Sequence, residues 1–131
     1  MKIVIDTNLM ISAMFFGGKP RKLIDLLIKG QVDAYANESI ILEYTESAED
    51  FSNKYHKPVL IPLSKIVSKL YQADSVTEIH ICRDPDDDKF IGCAIDSKSR
   101  YIISGDKDLL AVDHYEDVEI VTVAEFLRDN F

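Results

Sequence analysis

The sequence predicts an α/β fold with a central, mainly parallel sheet. Short, mostly apolar runs such as "KIVID" (Lys2–Asp6), "VDAYA" (Val32–Ala36) and "YIIS" (Tyr101–Ser104) are typical of buried strands. Stretches in which apolar residues recur at helical spacing separate these runs. This alternation favours parallel strands joined by helices, with ligands bound where the strands end.

Helical patterns account for much of the chain between the strands. Leu23, Leu26 and Leu27 share one helical face, which predicts a helix beginning near Pro20 and ending at Gly30. The other predicted elements are a helix from Glu38 towards Tyr55 capped by Asn37, a helix over Pro62–Asp74, a short strand at Thr77–Ile81, a helix from Asp88, and a closing strand and helix with Thr122 as N-cap.

The composition predicts a single globular domain over residues 1–131. The chain has 131 residues, 47% of them apolar, which is enough for a core without disulfide or metal support. No apolar run approaches the roughly 18 residues that cross a bilayer, and Asp6 interrupts the run that a secretory signal would need. Cys82 and Cys93 are too few for a disulfide framework. We therefore expect a cytoplasmic protein without a membrane partner.

Several carboxylates come at or soon after the ends of predicted strands. They are Asp6 after the first strand, Glu43 in the helix after the second, Asp88 after an acidic loop, and Asp106 and Asp108 after "YIIS". Because the carboxyl ends of parallel strands meet at one edge, these acids are expected to converge. Carboxylates that share a cleft need a counter-charge, and their hard oxygen atoms favour Mg²⁺, Mn²⁺ or Ca²⁺ over Zn²⁺.

The acidic loop "DPDDDK" has a simpler explanation as well. Asp before Pro favours a turn, and Asp86 or Asp87 would cap the following helix. The loop is not an EF-hand, because Lys89 stands where that motif needs glycine and Ile95 where it needs glutamate. The metal prediction therefore depends on the whole set of acids and not on this loop alone.

Four motifs, in order, resemble the PIN (PilT N-terminal) domain nucleases: "IDTN", "NESIILEY", "DPDDDKF" and "ISGDKDLL". The resemblance runs from Met1 to about Phe126 and is closest to the toxins of toxin–antitoxin pairs. It implies a three-layer α/β/α sandwich that hydrolyses RNA with Mg²⁺ or Mn²⁺ bound. It also implies an antitoxin partner that inserts a basic residue into the acidic cleft, and a homodimer.

The resemblance assigns roles residue by residue. The catalytic acids, which also bind the metal, fall on Asp6, Glu43, Asp88 and Asp106, and Asp108 is a further or alternative ligand. Small polar positions that orient the acids through hydrogen bonds fall on Thr7, Asn8 and Ser104. The other aspartates of the loop, Asp84, Asp86 and Asp87, are expected to shape the turn and not all to bind metal.

The net charge of −8 argues against binding of RNA over the whole surface, since polyanions normally need a basic face. Bound cations would reverse the charge at the site. The segment "GGKPRK" adds a local basic patch close to the proposed cleft, where Lys19, Arg21 and Lys22 are candidate RNA contacts. The alternative for these three residues is a solvated helix start.

Other functions would use similar residues. A phosphatase or a DNA-directed nuclease shares the metal chemistry, because substrate choice depends on surrounding loops. A non-catalytic, metal-stabilised binding module that acts through a partner protein is the alternative outside enzymes. A P-loop enzyme is excluded, because the sequence has no Gly-x-x-x-x-Gly-Lys motif.

Overall fold

A computed structural model describes all 131 residues. The strands are β1 (Lys2–Ile5), β2 (Asp33–Ala36), β3 (Tyr71–Gln72), β4 (Tyr101–Ile103), β5 (His114–Tyr115) and β6 (Val118–Val121). They form one sheet in the order β3-β2-β1-β4-β6-β5. Every neighbouring pair is parallel except β5 and β6, which form an antiparallel hairpin at one edge. The predicted mainly parallel sheet is confirmed.

Helices flank this sheet and complete a three-layer α/β/α sandwich. They are α1 (Thr7–Phe15), α2 (Gly18–Ile28), α3 (Glu38–Tyr55), α4 (Leu63–Val67), α5 (Asp88–Ser97), α6 (Lys107–Val112) and α7 (Val123–Asn130), with a 3₁₀ turn at Pro85–Asp87. One cluster of 32 buried apolar residues joins the layers. Ile3, Val4 and Ile5 of β1 are all buried, as the continuous apolar run predicts. No helix combines the length and apolar character that crossing a bilayer requires.

Helix α3 is fixed at the edge of the sheet where the parallel strands end. The Asn37 side chain accepts a hydrogen bond from the Ile40 N–H at 2.9 Å, which makes it the predicted N-cap. One turn further on, the buried Tyr44 hydroxyl donates to the carbonyl of Ile5, the last residue of β1. The first turns of α3 are therefore held beside the carboxyl end of β1.

The predicted helix over Pro62–Asp74 is wrong in its second half. The helix α4 ends at Val67, and Tyr71–Gln72 instead pairs with β2 as an edge strand. The Tyr71 ring stacks on the Tyr35 ring across the two strands, with 5.2 Å between their centroids. Such cross-strand aromatic pairs stabilise a strand pairing that apolar spacing along the chain does not indicate.

The predicted strand at Thr77–Ile81 is also wrong, because side chains of α5 bind its backbone. Asp96 accepts hydrogen bonds from the N–H groups of Val76 and Thr77 at 2.9 and 3.1 Å. Gly92 allows the close approach, since a Cβ there would lie 3.0 Å from the Thr77 carbonyl oxygen. N–H groups that are already bonded to a carboxylate cannot also join a strand ladder.

Replacing Asp96 is expected to loosen this segment. Asp96→Ala removes the acceptor for two backbone N–H groups and the Thr77 hydroxyl, so we expect a loss of about 1.5–3 kcal/mol in the free energy of unfolding. Urea unfolding measures that loss. Asp50→Ala, at an exposed carboxylate of α3, is the matched control. Equal stability of the two variants would contradict the role given to Asp96.

Candidate functional site

Asp6 and Ser104 lie side by side at the carboxyl edge of the sheet. They directly follow β1 and β4, which pair in parallel with Ile5 opposite Ile103. The Asp6 N–H donates to the Ile103 carbonyl at 3.0 Å, which extends the pairing by one residue. The Ser104 hydroxyl donates to Oδ2 of Asp6 at 2.7 Å. Ser104 therefore orients the Asp6 carboxylate.

Asp6 is a buried acid among other acids. Only 5% of its surface is exposed. Burial raises the pKa of its carboxyl; the bond from Ser104 opposes this, and the charges of Asp106 and Glu43 add to it. Such a carboxylate is stabilised by any cation that reaches it.

Asp106 begins helix α6 at the same edge. Its Oδ1 accepts hydrogen bonds from the N–H groups of Asp108 at 2.8 Å and of Leu109 at 3.4 Å, as an N-cap does. Its own N–H donates to the Ser104 oxygen at 3.0 Å. Ser104 thus connects Asp6 with Asp106, and Oδ2 of Asp106 has no hydrogen bond to the protein.

Glu43 approaches this edge from α3. The Thr7 hydroxyl donates to its Oε2 at 2.7 Å, and Lys89 Nζ lies 3.1 Å from the same oxygen. The Lys89 ammonium also donates to the Asp86 carbonyl at 2.5 Å. The ammonium group of Lys89 therefore occupies the position beside Glu43 that a bound metal ion would take.

The acidic loop brings Asp87, rather than Asp88, towards the other acids. Asp87 is 9% exposed, and its Oδ2 is the one buried side-chain polar atom without a hydrogen-bond partner. Burial first, and then repulsion from Asp106 and Asp6, raises the pKa of Asp87 to about 6. Like charges raise a carboxyl pKa in this way only when they are near one another.

Asp88 has a different set of contacts. Its Oδ1 accepts hydrogen bonds from the N–H groups of Ile81 and Cys82 at 3.2 and 2.9 Å. Burial acts to raise the pKa of Asp88, but these bonds hold it below its ordinary value. Asp88 therefore fixes the loop that precedes α5. The motif resemblance assigns a metal ligand to Asp88, and this assignment stays a prediction, because one of its oxygens holds the loop while the other forms no hydrogen bond.

Of the other residues predicted for the site, Thr7 contacts an acid, whereas the side chains of Asn8 and Asp108 do not bond to one. Thr7 bonds to Glu43, but Asn8 is exposed and forms no hydrogen bond to an acid. Successive side chains of a helix point about 100° apart, so Asn8 points away from the Glu43 carboxylate that Thr7 contacts. Asp108 forms only a loose contact of 3.8 Å with Arg83.

The three basic residues of "GGKPRK" are separated from Asp6 by the length of α1. Lys19, Arg21 and Lys22 lie in the first turns of α2, after the nine residues of α1. Arg21 pairs with Asp25 at 3.2 Å. Lys19, Arg21 and Lys22 thus lie at the other end of α1 from Asp6, and their contact with RNA stays a prediction.

The carboxyl edge of the sheet with Asp6, Glu43, Asp87 and Asp106, here called the acidic edge, has donor atoms of the type that bind a divalent cation. Its donors are carboxylate oxygens, the ligands that Mg²⁺ and Mn²⁺ prefer, and the buried Oδ2 of Asp87 lacks a partner that an ion would supply. No three His, Cys, Asp or Glu side chains stand ready as a ligand group. Binding would thus require the carboxylates to draw together and Lys89 to leave Glu43.

Comparison with known proteins agrees with this geometry. A family model described as a PIN domain matches residues 2–108. The uncharacterized protein MJ1680 of Methanocaldococcus jannaschii is 38% identical over 120 residues, covering 86% of this chain and 75% of that relative. The range matched by the family includes every acid of the site, from Asp6 to Asp108.

Proposed function

The chain belongs to the PIN domain family, and we propose that it is a divalent-metal-dependent endoribonuclease. PIN domains are generally nucleases and typically use divalent metals, so family membership supports hydrolysis of phosphodiester bonds. RNA as the substrate and Mg²⁺ or Mn²⁺ as the ion are our proposals. They follow from the resemblance of the motifs and from the oxygen-only donor set of the acidic edge.

The single observation that carries the proposal is the convergence of buried or half-buried acids where β1 and β4 end. Asp6, Asp87 and Asp106 repel one another there, and one oxygen of Asp87 is buried without a partner. This repulsion costs stability as long as no cation is bound. Bound cations would remove it.

A bound divalent ion would activate a water for in-line attack on phosphorus and stabilise the charge that develops on the leaving oxygen. The protein's own part is to hold the oxygen donors. Ser104 and Thr7 orient Asp6 and Glu43 through their hydroxyls, and the α6 N-terminus positions Asp106. We expect products with a 5′ phosphate and a 3′ hydroxyl.

We assign the metal ligands to Asp6, Glu43, Asp87 and Asp106. The motif resemblance places the third acid at Asp88. The charges of Asp106 and Asp6 act on Asp87 and help to raise its pKa, whereas burial and the bonds from Ile81 and Cys82 set the direction of the Asp88 pKa. Asp87 has a free, buried oxygen instead. Asp108 stays a candidate for a further ligand, since only the loose contact with Arg83 holds it.

Removing the lysine that contacts Glu43 is expected to tighten metal binding. Lys89→Met deletes a cation that must leave Glu43 when an ion binds. The pair is partly exposed, and such pairs contribute about 0.2–1 kcal/mol, so we expect a Kd for Mn²⁺ lower by up to about fivefold. Calorimetric titration measures it. Lys107→Met removes a lysine that is next to Asp106 in sequence but exposed, and is expected to change the Kd less. A weaker affinity in Lys89→Met would contradict this competition.

We further propose that the protein is the toxin of a toxin–antitoxin pair, acts as a homodimer and works in the cytoplasm. The motif resemblance supports this branch. The contact between Lys89 and Glu43 shows that the acidic edge accommodates a basic side chain, as an inhibiting antitoxin residue would require. Growth arrest on expression of the wild type, relieved by Asp6→Asn, would agree with the toxin role; undisturbed growth would contradict it.

The function is tested by incubating the protein with end-labelled single-stranded RNA, Mn²⁺ or EDTA. We expect cleavage with Mn²⁺, none with EDTA, and slower cleavage of single-stranded DNA of the same sequence. Bis(4-nitrophenyl) phosphate, which has no base or sugar, reports the chemistry of the centre alone. Hydrolysis of this ester without cleavage of RNA would favour another phosphoester substrate, and hydrolysis of neither would favour a non-catalytic module.

A further inference from the structure

We propose that a basic, aromatic face at the far ends of α1 and α3 binds single-stranded RNA several nucleotides away from the bond that is cut. This face, here called the aromatic–basic face, consists of residues 16–22 ("FGGKPRK") and 51–57 ("FSNKYHK"). The inference rests on the proposed function, because it concerns how the same substrate is held.

The two segments meet around a shallow groove. Phe16, Phe51, Tyr55 and Lys57 line it. The ring of Phe51 packs against those of Phe16 and Tyr55, with 5.6 and 4.6 Å between centroids. Phe16 and Tyr55 still expose 59% and 56% of their surface. Adjacent rings this exposed provide faces on which bases can stack, a contact that tolerates any base sequence.

The charge of this face is opposite to that of the whole chain. The two segments contain five of the 15 basic residues and none of the 23 acidic ones, and of these five Arg21 is paired with Asp25 of the same helix. Lys57 Nζ lies 4.9 Å from the centroid of the Phe16 ring, and Lys54 Nζ lies 5.3 Å from that of Tyr55. Each exposed ring therefore has an ammonium group over it in a cation–π contact, and a stacking base would displace that group from the ring towards the base's own phosphate. A stacking ring next to a cation is the combination that binds a base and its phosphate together.

Two helices connect this face with the acids. Asp6 precedes α1 and Phe16 follows it, while Glu43 and Tyr55 both lie on α3. Along α3 the separation of these two residues is roughly 18 Å at 1.5 Å per residue. An extended RNA strand bridges such a distance with several nucleotides, so the face would contact RNA outside the cleaved linkage.

The size of the groove favours RNA over a second copy of this chain. A stable protein interface buries about 800 Å² on each partner, whereas four residues line this groove. A stacked base needs only the face of one ring. The lysines beside the rings also complement phosphates and not an apolar partner surface.

The test is the affinity for fluorescein-labelled 12-nucleotide RNA, measured by polarisation in EDTA so that no cleavage occurs. The variants are Phe16→Ser with Tyr55→Ser, and Lys54→Gln with Lys57→Gln. The matched controls are Phe131→Ser, at an exposed ring elsewhere, and Lys65→Gln with Lys69→Gln, at exposed lysines in and just after α4. Hydrolysis of bis(4-nitrophenyl) phosphate with Mn²⁺ is followed in parallel.

We expect each double variant of the face to bind RNA about tenfold more weakly, with the controls and ester hydrolysis unchanged. Loss of two phosphate contacts should also flatten the slope of log K against log salt by about 1.4. Equal RNA affinity in face and control variants overturns the inference. If those face variants also change a dimer into a monomer in sedimentation, the face binds a second copy instead. RNA binding is measured without cleavage. A wild type that binds RNA through this face but cleaves none would therefore contradict the proposed nuclease function and leave the binding face supported.

Discussion

Asp6→Asn is expected to lose RNA cleavage by roughly 10³-fold or more, since a metal contributes several kcal/mol to the transition state and needs this ligand. Asp6 is buried, and the charges of both Asp106 and Glu43 raise the pKa of its carboxyl. Asparagine has the same shape and can still accept the Ser104 hydrogen bond. The measurement is the single-turnover cleavage rate of labelled RNA with Mn²⁺.

The fold of this variant is expected to survive, because the substitution removes a buried charge. Its melting temperature should equal or exceed that of the wild type. Asp117→Asn, at an exposed aspartate of the β5–β6 turn, is the matched control and should cleave normally. Cleavage by Asp6→Asn at the wild-type rate would mean that the activity comes from a contaminating ribonuclease or that Asp6 holds no metal.

Asp87→Asn and Asp88→Asn are expected to differ, although the residues are adjacent. Asp87→Asn should lose about 10²-fold in cleavage rate, because it removes the buried oxygen that we assign to the metal. Asp88→Asn should instead lose stability, because the N–H groups of Ile81 and Cys82 lose a charged acceptor. Single-turnover rates and urea unfolding measure the two effects. A larger loss of activity in Asp88→Asn, at full stability, would return the ligand role to Asp88.

The difference in metal-free stability between Asp87→Asn and the wild type depends on pH with a defined sign. The pKa of Asp87 is raised in the folded protein from 3.8 to about 6, so the folded state binds its proton more tightly than the unfolded state. The stability that this provides is present below pH 4 and is lost as the pH rises through about 6. Above that pH, Asp87→Asn should gain stability relative to the wild type in EDTA. A constant difference across this range would contradict the burial of Asp87 among acids.

The sequence predicted the parts of the fold in which local pattern and tertiary environment agree. The apolar run of β1 is buried on both faces, and Asn37 and Thr122 cap α3 and α7 through the expected side-chain bonds. Helix α1 has no such signal. Seven of its nine residues are buried, so it lacks the polar face that makes helical spacing visible.

Some residues of the candidate site were likewise predictable from the sequence, and others were not. Asp6 and Asp106 follow strands whose ends the parallel topology brings together, so their meeting was predictable. The choice between Asp87 and Asp88 was not, because it depends on which carboxylate the N–H groups of Ile81 and Cys82 bind.

Calorimetric titration of Mn²⁺ into the wild type and Asp6→Asn tests most directly whether the acidic edge is a metal centre. We expect saturable binding to the wild type, with release of protons from carboxyls whose pKa values are raised, and a loss of most of that binding in Asp6→Asn. Equal binding by both proteins, or none by the wild type at concentrations that support RNA cleavage, would contradict a metal centre at Asp6.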